Sequence, residues 1–325
     1  VRRAYSFAEV AHLGQKRLSG EDLLQHALAV AEILTEIRAD SNTLAAALLH
    51  DVLEKSNLSQ ESLAEEFGEE IAALVEGLTV VRGASARSGG EKERDWENLR
   101  HLILAAVRDP RVLAIRLAEK IHNLHTSSAL PEGKQRVAAQ KVFDIWAPLA
   151  ALLGLYRFKA ELEDLAFAIL EPKKYGEIEG KVRVEVEKME GVVAEVKKRL
   201  EEETKRESIP VEISSRTKHL WGVYRKLSSY ERQAGGKFYD VFGLRVITET
   251  VEECYRVLDL VRQLWREIPD FFDDHIAHPK PNGYQSLHAV FTVEDHLVEI
   301  QIRTIAMHEV AEYGLAAHAV YEEGK

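Results

Sequence analysis

Ile209-Pro210-Val211-Glu212-Ile213-Ser214 is where the chain changes its grammar. Apolar Val211 and Ile213 alternate with polar Glu212 and Ser214, the period-two pattern of a half-buried strand. Downstream, residues 244–247, 288–293 and 297–304 alternate in the same way. Between these stretches, 251–267 reads as a helix with Tyr255, Leu258, Val261, Leu264 and Trp265 on one face, and 305–321 reads as a second helix. Upstream of Ile209 the pattern is helix after helix. Leu23, Leu24, Ala27, Leu28, Val30, Ala31 and Leu34 recur at helical spacing, and apolar runs follow at 44–49 and 102–107. Asp109-Pro110 and Leu130-Pro131 mark helix boundaries, because a proline ring disfavours helical geometry in the residue before it. Residues 82–90, rich in glycine and serine, read as a mobile loop.

A charged stretch over 181–206 carries a narrow apolar seam of Val182, Val186, Met189, Val193, Val196 and Leu200. It is too short for a dimerising coiled coil and suits a helix laid against a domain. The expected fold class is therefore α+β and multidomain: an all-α domain over 1–170, a helical connector over 171–208 and a mixed α/β domain over 209–325.

The 325 residues carry 43 Lys and Arg against 54 Asp and Glu, a net charge of −11, which argues against binding nucleic acid through bulk charge. A site for a phosphorylated ligand must then be a local basic cluster. Cys254 is the single cysteine, so an internal disulfide and a multi-cysteine metal site are excluded and a reducing, cytoplasmic location is expected. The longest apolar run, 145–156, is interrupted by Pro148 and too short for a membrane span. No signal peptide is read at the start, and Val1 in place of Met suggests a fragment.

The α/β half holds the basic cluster. Arg216, Lys218, Arg225 and Lys226 face one acidic residue between 211 and 226, where solvated surface charge is the ordinary reading. Asp240 precedes Arg245 by five residues, and Pro-Asn282-Gly283 is a turn flanked by Lys280, Tyr284, Gln285 and His288. Glu299 and Gln301 are read onto one face of a strand, with Arg303 on the other. Carboxylates on neighbouring strands, Asp240 and Glu299, are a usual way to hold Mg²⁺ beside a triphosphate. Arg and Lys neutralise charge on phosphate oxygens, and a tyrosine face suits a purine. The set points to nucleotidyl or pyrophosphoryl transfer.

Arg216-Thr-Lys218-His219, Tyr239-Asp240-Val-Phe-Gly-Leu-Arg245, Pro279-Lys280-Pro-Asn-Gly-Tyr284-Gln-Ser-Leu-His288 and Glu299-Ile-Gln301-Ile-Arg303-Thr resemble the RelA–SpoT homologue family of (p)ppGpp synthetases and hydrolases. The resemblance implies a nucleotidyltransferase-like synthetase domain that transfers pyrophosphate from ATP to the 3′-hydroxyl of GTP or GDP, a GTP diphosphokinase. It implies Asp240 as Mg²⁺ ligand and Glu299 as a second acidic group, binding metal or helping to deprotonate the 3′-hydroxyl. Arg216, Lys218, Lys226 and Arg245 become ATP or phosphate ligands. Tyr284 becomes the guanine platform, with Lys280, Asn282, His288 and Gln301 around the substrate. Phe271-Phe272-Asp273-Asp274 matches the acidic end of the Glu-x-Asp-Asp run of the synthetase-only branch but lacks its first acidic residue.

In the helical half, Gly14-Gln-Lys-Arg17-Leu-Ser-Gly-Glu21, Leu48-Leu-His50-Asp51-Val-Leu-Glu54 and Leu117-Ala-Glu119-Lys-Ile-His122-Asn123 resemble the family's HD-type hydrolase domain. The implied metal set is His26, His50, Asp51 and Glu119, with Mn²⁺ as the metal, and Arg17, Glu54, Asn123 and Thr126 belong to the same site. Three departures stand out. Lys55 replaces the second acidic residue of a Glu-Asp pair, Glu119 replaces an Asp, and Ala151-Leu152 replaces a polar pair. The expected function is (p)ppGpp synthesis with an impaired hydrolase domain. Two alternatives remain, a bifunctional synthetase and Mn²⁺-dependent hydrolase, and a non-catalytic nucleotide-sensing module. The expected partners are ATP, GTP or GDP and (p)ppGpp, with no nucleic acid or membrane, and the ribosome only through domains beyond this chain.

Overall fold

The computed structural model describes residues 1–56, 58–84, 91–234 and 241–322. Contacts divide the chain into two units, Val1–Leu165 with Tyr313–Lys325, and Ala166–Glu312.

The first unit is helical, and its one described β-bridge joins Lys16 to Asp22. Helices Leu23–Thr35, Ser41–Leu49 and Pro110–His125 pack against one another. Pro110–His125 starts where Asp109-Pro110 predicts. Asp109 caps it by accepting from the Arg111 amide at 2.9 Å, and Pro110 occupies the first turn, where a missing N–H costs nothing. Its buried residues encircle the axis, so the helix lies inside the unit and takes Arg116, Glu119 and His122 in with it. Asp40 caps Ser41–Leu49 through the amides of Asn42 and Thr43, at 2.8 and 2.9 Å, and the far end of that helix delivers His50 and Asp51 to the interior. Of the loop expected over 82–90, residues 82–84 continue helix Glu69–Ala84, and 85–90 lie outside the described residues.

The second unit is built on a sheet of β1 (Val211–Thr217), β2 (Phe242–Thr248), β3 (Arg266–Glu267), β4 (Asp273–Asp274), β5 (Leu287–Val293) and β6 (His296–Thr304). The strand order is β1-β2-β6-β5-β3, with β4 also on β5. The β2–β6 pair is parallel and the others antiparallel. The four alternating stretches of the sequence are β1, β2, β5 and β6. The two-residue strands were not expected, being too short to show a period. The helix expected over 251–267 ends at Leu264, because Trp265 is extended and Arg266–Glu267 pair with β5.

Ile213, Leu244, Val246, Leu287, Ala289, Phe291, Val298, Ile300 and Ile302 make one face of this sheet the core. Met189, Val193, Val196 and Leu200 of helix Pro172–Arg206 pack there, with Cys254, Val257, Leu258 and Val261 of Val251–Leu264. The Met189-to-Leu200 part of the seam is thus buried against the sheet, as expected of a helix laid on a domain. The intervening residues turn to the opposite face: Arg216, Arg245, His288, Glu299, Gln301 and Arg303. Arg303 therefore shares the face of Glu299 and Gln301, correcting the expectation that it lay across the strand, since residues 299, 301 and 303 differ by whole periods of two. Among the described residues, no helix is long and apolar enough to cross a membrane.

Candidate functional site

On the polar face of the sheet, pairing places Glu299 of β6 beside Gly243 of β2, Gln301 beside Arg245, and His288 of β5 opposite Gln301. Gly243 is required there: a Cβ would stand 2.2 Å from the Glu299 carbonyl oxygen. We expect Gly243→Ala to destabilise the unit by about 1–3 kcal/mol through overpacking, read as a lowered Tm. An unchanged Tm would show that the strands separate freely at this point.

Both oxygens of the Glu299 carboxylate face donors. Oε2 accepts from Gln301 Nε2 at 3.1 Å and Arg216 Nη1 at 3.4 Å, and Oε1 lies 3.5 Å from His288 Nδ1. Because a carboxylate only accepts, the His288 Nδ1 proton points to Glu299, and Nε2 accepts from the Tyr284 hydroxyl at 2.8 Å. Burial pushes the Tyr284 hydroxyl above its ordinary pKa, which keeps it a donor. Lys280 lies over the Tyr284 ring at 5.2 Å from its centroid, and Asn282 accepts from the Tyr284 amide at 3.2 Å. Gly283, with φ of 77°, makes the turn that joins them.

Arg245 and Arg303 share the Glu312 carboxylate at 2.9 and 3.0 Å. Burial, with the Arg303 charge alongside, pulls the Arg245 guanidinium down to about 10. Arg303 is 1% exposed and was missed as a site residue, although correct strand parity would have found it. Lys218 stands at the end of β1, its amide donating to Val241 at 2.8 Å, and Lys226 lies on helix Leu220–Ala234. Asp240 lies outside the described residues. In the 271–274 run, Asp274 accepts from Tyr255 and from the amides of Ile276 and Ala277, at 2.9, 3.0 and 2.8 Å, a brace for the loop ahead of Lys280.

The helical unit brings His26, His50 and Asp51 together. Each offers a ligand atom within 4.8 Å of the others, and a second such group is Glu21, His26 and His122. His50 Nδ1 lies 2.7 Å from the Ala47 carbonyl, which can only accept, so the neutral ring carries its lone pair on Nε2. That atom faces Asp51 Oδ1 at 3.4 Å, so two lone-pair atoms converge, an arrangement that fits a cation. Burial, reinforced by His50, pushes His26 down to about 3, which leaves its ring neutral and able to ligate. Glu119, expected as the fourth ligand, turns to Arg116 at 2.5 Å and to Asn123 at 3.4 Å, and Arg116 also holds the Leu78 carbonyl.

Beside these histidines is a cavity of about 790 Å³. The expected residues Arg17, His26, Asp51, Asn123 and Thr126 line it, as does Lys55. Arg17 is held by Glu21 at 3.0 Å and Asn123 at 2.5 Å. Glu54 meets Lys55 Nζ at 3.5 Å. Lys16, Lys120, Lys141 and Trp146 also line the cavity and were missed. Lys120 lies over the Trp146 ring at 5.1 Å, so the walls supply both cations and an aromatic face. Trp146 closes a π-helical turn, Val142–Trp146, which follows from Pro148: its ring excludes the carbonyl four residues back. The substituted Leu152 is 72% exposed.

Residues 4–156 match the family model described as HD domain, and residues 215–325 the one described as region found in RelA / SpoT proteins. The chain is 43% identical over 99% of its length to a probable guanosine-3′,5′-bis(diphosphate) 3′-pyrophosphohydrolase of Synechocystis, of which it covers 42%. It is 38% identical over 100% of its length to a GTP pyrophosphokinase of Myxococcus xanthus, covering 43% of that protein. It is 40% identical over 100% of its length to a guanosine-3′,5′-bis(diphosphate) 3′-pyrophosphohydrolase of Aquifex aeolicus, covering 46%. The chain thus spans less than half the length of these relatives.

Proposed function

Because the chain belongs to the RelA/SpoT family, we propose that it is a (p)ppGpp synthetase whose HD-type unit is impaired in hydrolysis. The observation that carries synthesis is the polar sheet face, where Arg216 meets Glu299 while Arg245 and Arg303, both paired with Glu312, present further cations on the same face of a protein of net charge −11. A focused cationic patch on an acidic background selects a compact polyanion such as a triphosphate.

In the proposed reaction the 3′-oxygen of GTP or GDP attacks the β-phosphorus of ATP. The bond from that phosphorus to the oxygen bridging the α-phosphate breaks, and AMP leaves. Glu299 takes the hydroxyl proton, because Arg216 and Gln301 hold its carboxylate in one orientation. Mg²⁺, held by Asp240, would neutralise charge on the transferring group. Arg216, Lys218, Lys226 and Arg245 bind phosphate oxygens. Tyr284 stacks on guanine, fixed by His288, with Lys280, Asn282 and Gln301 around the nucleotide.

We expect Tyr284→Ala to weaken guanine-nucleotide binding by roughly 1–3 kcal/mol, the worth of one stacked base, with ATP affinity little changed. Calorimetric titration checks this, and equal losses for both nucleotides would make Tyr284 a packing residue.

In the helical unit, the cavity with Lys16, Arg17, Lys55, Lys120 and Lys141 suits a phosphorylated nucleotide such as (p)ppGpp. Hydrolysis is impaired because Lys55 stands where the resemblance places a carboxylate, and neutralises Glu54. A second reading, a bifunctional enzyme with Mn²⁺-dependent hydrolysis, is favoured by the convergence of His26, His50 and Asp51. One experiment separates the two. The chain is incubated with ATP and GTP or GDP, then separately with ppGpp and Mn²⁺, and products are resolved chromatographically. AMP with ppGpp or pppGpp in the first and no pyrophosphate in the second support the first reading.

A further inference from the structure

We propose that Glu312 and Arg303 are positioning residues for the polyphosphate of ATP. Glu312 holds the Arg245 guanidinium in place, and Arg303, rather than meeting phosphate, supplies the second positive charge that leaves Arg245 able to take it. This rests on reading the polar sheet face as the ATP site. Thr304 starts helix Ile305–Glu322 by accepting from the Met307 amide at 3.2 Å, so the helix leaves β6 directly after Arg303. His308 and Glu312 lie four residues apart and share one helix face. Both meet Arg303, whose Nη2 lies 2.9 Å from His308 Nδ1 and 3.0 Å from Glu312 Oε1. Arg245 Nη1 reaches the same Oε1 from β2 at 2.9 Å. One carboxylate oxygen therefore stands between guanidiniums from two strands.

Charge decides what this arrangement does. Glu312 against Arg245 alone would cancel the charge that a phosphate ligand needs. A guanidinium only donates, so His308 accepts from Arg303 and adds no charge in this arrangement. Among the described residues, Glu312 is the only carboxylate paired with either arginine, so the triad keeps one net positive charge. Burial opposes its ionisation, but Arg245 and Arg303 hold the Glu312 carboxyl below its ordinary range, so it stays a carboxylate at neutral pH. Accessibility divides the work between the arginines. Arg303 is 1% exposed, too enclosed to meet a nucleotide, whereas the Arg245 side chain is 18% exposed. A guanidinium tethered in advance loses less freedom when phosphate binds.

The test is calorimetric titration of the full chain with ATP and Mg²⁺, without GTP or GDP. Arg303→Gln leaves Arg245 and Glu312 as a neutral pair and should weaken ATP binding about tenfold. Glu312→Gln, whose amide oxygen still accepts from the arginines, should tighten it about threefold or more. Combining the two substitutions restores one net charge and should return affinity to within about threefold of the unaltered chain. A merely structural brace predicts no such rescue, since the double variant would bind no better than Arg303→Gln. If Arg303→Gln fails to fold by circular dichroism, Glu312→Gln decides alone. Unchanged or weaker binding in Glu312→Gln, a double variant as weak as Arg303→Gln, or a folded Arg303→Gln chain that binds like the unaltered one overturns the proposal. Chromatography of AMP and ppGpp formed by the unaltered chain tests the synthetase reading separately. Affinities that follow this pattern in a chain that forms neither product overturn that reading and support the positioning roles, and no ATP binding by the unaltered chain overturns both.

Discussion

Glu299→Gln should lower (p)ppGpp synthesis by about 100-fold or more in kcat while leaving the fold and nucleotide affinities near those of the unaltered chain. The amide oxygen of glutamine still accepts from Arg216 and Gln301, which now hold the carboxylate at 3.4 and 3.1 Å, so the surroundings need not rearrange. What is lost is a site that can take a proton from the 3′-hydroxyl as its oxygen attacks. Because that role exists only in the transition state, the loss falls on kcat, with KM for GTP and ATP little changed. Quantifying AMP and ppGpp at saturating nucleotide checks this. Undiminished ppGpp production would remove Glu299 from the chemistry and leave it as a structural partner of Arg216.

In the helical unit, the unaltered chain should release little or no pyrophosphate from ppGpp even with excess Mn²⁺, and Lys55→Asp should raise the rate by about tenfold or more, a conservative share of what a positioned proton acceptor contributes. Lys55 lines the same cavity as His26 and Asp51, and its ammonium stands 3.5 Å from Glu54. The substitution removes that ammonium and adds a carboxylate beside Glu54, able to orient an attacking water. Full recovery is not expected, since Ala151 and Leu152 also depart from the pattern that the resemblance sets. Pyrophosphate release measured on both chains decides the matter. Robust hydrolysis by the unaltered chain makes this a bifunctional enzyme, and a Lys55→Asp chain that binds Mn²⁺ yet stays inactive moves the fault to the substrate pocket.

Much of this protein is local, and what is local was legible in the sequence. Val211 and Ile213, or Val298, Ile300 and Ile302, announce strands because side chains of one parity must share a face. Asp109-Pro110 announces a helix start because proline and a capping carboxylate solve the end of the backbone ladder in a fixed way. The motif residues Tyr284, His288 and Glu299 come together because the register of β5 on β6 follows from the same alternation.

Glu119, Trp146 and His122 are different. By resemblance, Glu119 stands one methylene away from a metal-ligating Asp, but only the interior position of Pro110–His125 brings it against Arg116. Trp146 reads as part of an apolar run, and that it lines a cavity with Lys120 and Lys141 shows only in the tertiary structure. His122 lies 96 residues from His26, and nothing near either residue in the sequence shows that their Nδ1 atoms meet at 2.9 Å. Period and capping are properties of neighbours along the chain, so the sequence alone determined the four longer strands, the helix boundary at Asp109-Pro110 and the family. Which partner a buried charge or imidazole takes depends on distances between segments far apart in sequence, and those the tertiary structure alone decided.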